Sequence, residues 1–83
     1  MSHNYMNNIQ IYKNCFTNSL SISEEGLDQL EYNSVPEWDS IGHMTLISEL
    51  EEKFKISIET DDIVDFSSFK KGKEILLKYK IKI

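Results

Sequence analysis

Residues 38–54, WDSIGHMTLISELEEKF, hold the clearest periodicity in the chain. At about 100° per residue, Met44, Leu46, Ile47, Leu50 and Phe54 fall within an arc of roughly 160°, wide enough to face a core along a helix from Ile41 to Phe54. Asp39 or Ser40 starts this helix, because short oxygen-bearing side chains cap helix N-termini. Ile41 falls on the opposite side with Thr45, Ser48, Glu49 and Glu52, so an apolar residue is expected to stand exposed beside Ser40 with carboxylates farther along. His43 points towards the core arc and reads as a partly buried structural residue, since no second titratable group is evidently paired with it. A rival start comes from SVPE, residues 34–37, a capping box with Pro36 inside it. The later start is preferred.

Upstream, Tyr5, Ile9, Tyr12 and Phe16 recur at helical spacing, and Ile11 and Cys15 widen the same side, which predicts a first helix over 5–16. Cys15 on that side is expected to be a small core residue. Residues 17–39 form a long connection rich in turn residues, and its scattered Leu20, Ile22, Leu27, Leu30 and Val35 predict that it lies down on the helices. Within it, SEEGLDQL admits a short helical turn capped by Ser23. Downstream, KISIET at 55–60 alternates like a strand but has no second strand to pair with, so it reads as an extended link. Thr60 is expected to cap a short helix, DDIVDF, and Ser67 or Ser68 a last helix whose apolar side holds Phe69, Ile75, Leu76 and Tyr79, with the lysines favouring its C-terminal end. The expected fold is all-α: a small four-helix bundle of three main helices plus one short helix, with a long first loop, in a single domain over residues 1–83.

The totals agree with a small globular domain: 83 residues, 40% hydrophobic and 28% charged, with a net charge of −5. No apolar run is long enough to cross a bilayer, and MSHNYMNNIQ at the start lacks the pattern of a signal peptide, so no membrane insertion and a cytoplasmic location are expected. One cysteine and two histidines support neither an internal disulfide nor a structural metal site. Charge is segregated. Residues 1–69 carry thirteen carboxylates and three lysines, whereas residues 70–83 carry one carboxylate and six lysines. The acidic body repels nucleic acid and suits basic patches on other proteins. No nucleophile elbow, phosphate-binding glycine loop or metalloprotease motif occurs, and the neighbouring acids Asp61 and Asp62, or Glu51 and Glu52, read as solvated. Intrinsic catalysis is not expected.

The run W-D-S-I-G-H-M-x-L-I-x-E-L-E-E-x-F-x-I-x-I, Trp38 through Ile58, resembles the acyl carrier proteins and the related peptidyl carrier domains, and the similarity extends through IETDDIVDFSSF to Tyr79. The resemblance implies a four-helix bundle in which Ser40 bears a covalent 4'-phosphopantetheine arm derived from coenzyme A. It implies acyl or aminoacyl cargo held as a thioester, with a phosphopantetheinyl transferase, a loading ligase and downstream transferases or synthases as partners of a monomer. Asp39 would then serve recognition by the transferase. Ile41 and Glu52 match the partner-facing second helix of the family, with Glu49 and Glu51 beside them. The chain departs from the family where acids are common, at Gly42 and Thr45, and where an apolar residue is common, at Ser48; Ile41 replaces the usual leucine. The W-D-S-x-x-H form and basic tail are more similar to discrete carriers of specialised pathways, whether for fatty acid, polyketide or nonribosomal peptide cargo. A carrier-like adaptor, binding partners through the acidic second helix without a prosthetic group, is the alternative expectation.

Overall fold

The computed structural model describes residues 7–83, which form four α-helices. Helix α1, Asn8–Leu20, starts where the Asn7 side chain accepts a hydrogen bond from the Gln10 N–H. It buries Tyr12, Cys15, Phe16 and Leu20. The expected start at Tyr5 lies outside the described residues, and the helix runs a turn beyond the expected end at Phe16 because Leu20 extends the buried stripe by four positions. Ser21, in the left-handed conformation, closes it.

The long connection does lie on the helices. Leu27 and Leu30 are buried, and Ile22 and Val35 pack against the core. A short 3-10 turn spans Leu27–Gln29, but Gly26 with φ of 76° introduces it, and Ser23 does not cap it. Farther on, the Ser34 hydroxyl donates to the Glu31 carbonyl and accepts from the Glu31 N–H, so Ser34 closes a turn and no helix starts at Pro36. The Phe69 N–H donates to Leu30 and the Tyr32 N–H to Ser67, both across 2.9 Å, which fastens the loop to the start of the last helix.

Helix α2, Ser40–Phe54, packs along α1 and buries Leu46, Ile47 and Leu50. Its preferred start and its end agree with the sequence reading. Residues 56–59 are an extended link without strand pairing, and Glu51 anchors it by accepting the Ile58 N–H at 2.8 Å. Helix α3, Thr60–Asp65, has Glu59 at its N-cap, so Thr60 is its first helical residue and not the expected cap. The Tyr79 hydroxyl accepts the Glu59 N–H, relieving the helix start of that need. Helix α4, Phe69–Leu77, is capped by Ser68, which accepts from the Lys71 N–H. It ends before most of the tail. Lys70, Lys71 and Lys73 therefore sit in its first half, and the expected lysine-rich C-terminal turn is absent.

Aromatic rings fill the centre. Phe16 is the hub, its ring centroid 5.1 Å from those of Tyr12 and Phe69, 5.5 Å from Trp38 and 6.2 Å from Phe66. The Tyr12 hydroxyl donates to the Phe69 carbonyl at 2.7 Å, and burial raises its pKa far above the ordinary phenol value. Cys15 is a core residue as expected; burial, with Glu49 adding to it, pushes its thiol up to about 12.

Asp62 is not solvated as expected: it is 6% exposed and joins α3 to the C-terminal segment. One of its oxygens accepts from the Lys78 ammonium and the other from the Tyr79 hydroxyl, each across 2.6 Å, and these bonds hold its carboxyl below the ordinary aspartate value of 3.8. A lowered folded-state value contributes stability that is complete above the unfolded value and is lost as pH falls through the folded one. The difference in urea midpoint between the wild type and Asp62→Asn is therefore expected to be largest near neutrality and to shrink across the acidic window that begins near the ordinary aspartate value of 3.8. A difference independent of pH over that window would remove the clasp from the account.

Candidate functional site

The end of the loop and the start of α2 are assembled around Trp38, which is wholly buried. Its N–H donates to Val35, and its carbonyl accepts from Asn33, making a turn that delivers Asp39 and Ser40 to the helix start. The Asp39 carboxylate accepts from the Gly42 N–H at 2.8 Å, while its carbonyl accepts from the His43 N–H at 2.7 Å. Asp39 is thus the N-cap, and Ser40, the first helical residue, is exposed. Its hydroxyl stands at the positive end of a helix of fifteen residues.

Ser40 borders a groove of about 380 Å³ between α2 and α3, lined also by Tyr32, His43, Met44, Ile63, Val64 and Phe66. The groove is largely apolar. Met44 was expected in the core but is 51% exposed: it sits at the edge of the apolar arc of α2, where it forms a groove wall and no element covers it. Val64 faces solvent even more, at 74%.

His43 holds the groove's inner side. The Trp38 indole N–H donates to His43 Nδ1 at 2.9 Å, and an indole can only donate, so Nδ1 is the acceptor and the ring proton belongs on Nε2. That proton is then donated to the Ile63 carbonyl, 2.8 Å away, tying α2 to α3. The ring also lies nearly parallel to Trp38, at 6.0 Å between centroids. Both nitrogens are engaged, which agrees with the structural reading of His43 and leaves it no lone pair for a base.

The five expected recognition residues divide by what they touch. Ile41 is 77% exposed and Glu52 is exposed, with neither holding another element in place. Glu49 lies 3.9 Å from Lys53, one turn along the helix. Asp39 and Glu51 each spend a carboxylate oxygen on a backbone N–H, at Gly42 and Ile58.

Two features escaped the sequence reading. The groove walls are Tyr32, from the loop eight positions before Ser40, and Ile63, Val64 and Phe66, from the short helix and its C-cap more than twenty positions after it; the only local signal was the Ile63-Val64 doublet, too wide an apolar face for so short a helix. At Gly42, a Cβ would overlap the Glu37 carbonyl oxygen and approach a Leu20 methyl at 3.0 Å. The loop closes over this position, so no larger side chain has room here.

No family model matches this chain, and neither a curated protein nor a solved structure matches it. Among the described residues no helix is long and apolar enough to cross a membrane, and no group of three His, Cys, Asp or Glu side chains converges as metal ligands would.

Proposed function

We propose that this chain is an acyl carrier protein in which the Ser40 hydroxyl carries a 4'-phosphopantetheine arm. The observation that carries the reading is the placement of Ser40: an exposed hydroxyl on the first residue of a well-capped helix, bordering an apolar groove. The resemblance of Trp38 through Tyr79 to carrier proteins supports the same residue.

The residues fit the group. A phosphodiester on Ser40 would lie at the helix N-terminus, where N–H groups and the dipole favour an anion by about 0.3–1 kcal/mol at an exposed position. Asp39 opposes part of that gain by its own charge, but its carboxylate is committed to the Gly42 N–H. When bound, the arm supplies a terminal thiol that holds a carboxylic cargo as an activated thioester. Cys15 cannot supply it, being buried and protonated at neutral pH. With His43 saturated and Asp39 engaged as a cap, no neighbouring base frees the Ser40 hydroxyl, so a separate phosphopantetheinyl transferase does so. Ile41 and Glu52 offer that enzyme, and the ligases and synthases that load and unload cargo, one apolar and one charged contact clear of the groove.

Incubation with coenzyme A and a promiscuous phosphopantetheinyl transferase is expected to raise the intact mass by one arm. Ser40→Ala should abolish the gain, and Ser67→Ala, which removes the other serine hydroxyl on the groove, should not. Wild-type protein of unchanged mass would overturn the reading.

A further inference from the structure

We infer that the groove between α4 and the C-terminal tail is a second docking surface, fitted to an acidic amphipathic segment of a partner protein. Six of the nine lysines lie between residues 70 and 82. Two of them, Lys73 and Lys82, line a groove of about 360 Å³ together with Glu74, Leu77 and Ile83, and it shares no residue with the groove at Ser40. Its floor is apolar. Leu77 is 55% exposed although it belongs to the last turn of α4, and the Asn8 side chain fixes the tail by donating to the Lys82 carbonyl at 3.0 Å. Leu77 and Ile83 are thus held in place rather than left on a free end.

The charges around this floor are only partly used within the chain. Lys78 is neutralised by Asp62, and Lys71 by Glu74 at 3.7 Å. Lys73 lies over the Phe69 ring at 5.1 Å, an attraction that leaves its charge uncompensated. Among the described residues Lys80 and Lys82 have no carboxylate partner. An apolar pocket with unpaired ammonium groups at its edge is complementary to one large apolar side chain flanked by carboxylates, the pattern of an acidic amphipathic helix.

A protein segment fits this surface better than an anionic bilayer does. The remaining body carries thirteen carboxylates against three lysines, and a broad negative surface would be repelled as the body approached a membrane or a nucleic acid. A single helix presents its charge only where the lysines are. The contact is small and charge-assisted, hence weak and screened by salt.

The test uses the full-length chain bearing Ser40→Ala, so that no arm contributes and a failure here says nothing about the carrier reading. The probe is a fluorescein-labelled helical peptide with leucines on one face and glutamates elsewhere, titrated by fluorescence anisotropy. Binding is expected at about 50 mM salt, about tenfold weaker at 300 mM. Lys82→Glu alone, and more strongly with Lys73→Glu, should weaken it about tenfold or more, and Leu77→Ser should weaken it comparably. The same net-charge change made at Lys13 and Lys53 should leave it nearly intact, with helicity by circular dichroism unchanged throughout. Absence of binding, equal loss in the Lys13 and Lys53 control, indifference to Leu77→Ser, or equally strong adsorption to phosphatidylglycerol vesicles would each overturn the inference.

Discussion

Trp38→Ala is expected to cost about 4 kcal/mol, the middle of the range for truncating a buried aromatic residue. A domain of this size has little more than that to lose. The indole is wholly buried, packs edge-on against Phe16 and lies against His43, and nothing nearby can slide into the space because the neighbouring rings are themselves fixed by contacts and hydrogen bonds. Truncation also strips His43 Nδ1 of its donor, a loss that adds about 1–3 kcal/mol wherever water cannot replace it. Trp38→Phe separates the two terms, since it keeps most of the ring and deletes only the N–H and part of the volume; it should fall between wild type and Trp38→Ala. Trp38 is the only tryptophan, so the transition is followed by far-UV circular dichroism in urea. The alanine variant is expected to show at most the tail of a cooperative transition. A midpoint within a few tenths of a molar of wild type would show that the loop and the start of α2 do not depend on this side chain.

That dependence also explains what the chain's order reveals and conceals. Helix α2 was legible because its evidence is local: five apolar residues on one arc, with Asp39 and Ser40 at the start. The fold class followed, since no segment could pair as a strand with KISIET. Ends and caps were less legible wherever a distant group took over a local role. Thr60 does not cap α3 because Glu59 already holds the N-cap position, its own N–H satisfied by the Tyr79 hydroxyl twenty positions on. Ser34 could cap a helix at Pro36 but is used by the Glu31 turn. The last helix stops at Leu77, so lysines that would suit a helix C-terminus lie in its first half and in the tail. The exposed place of Ser40 at the start of α2 was legible from the cap residues around it, but the groove beside it was not, because it exists only once Tyr32, Ile63 and Phe66 are brought to α2. The link between Trp38 and His43 was similarly hidden: five positions apart, they meet only because the turn at 35–38 folds the indole under the first turn of the helix.

Gly72→Ala pits two effects of opposite sign against each other, and their sizes decide the outcome. In the interior of α4 the substitution should stabilise by about 0.8–1 kcal/mol, from helix propensity alone. Yet Gly72 is buried, and a Cβ there would overlap the Tyr12 hydroxyl and the Phe66 ring. Neither neighbour yields cheaply. Tyr12 is held by its hydrogen bond to Phe69 and by ring contacts with Phe16 and Phe69, while Phe66 packs against Phe16 and His43. Overpacking a site with such rigid walls costs about 3 kcal/mol, so the net effect is destabilisation by about 2 kcal/mol or more, with α4 forced away from α1. Tyr12→Phe offers a check on the mechanism, because it removes the hydroxyl that collides with the new methyl. Alone it should destabilise, by loss of the buried hydrogen bond to Phe69, but in the Gly72→Ala background it should cost less or restore stability, giving a coupling of about 1 kcal/mol in a double-mutant cycle measured by urea denaturation. An alanine variant more stable than wild type would mean that propensity outweighs packing and that α4 does not approach α1 as closely as Gly72 allows.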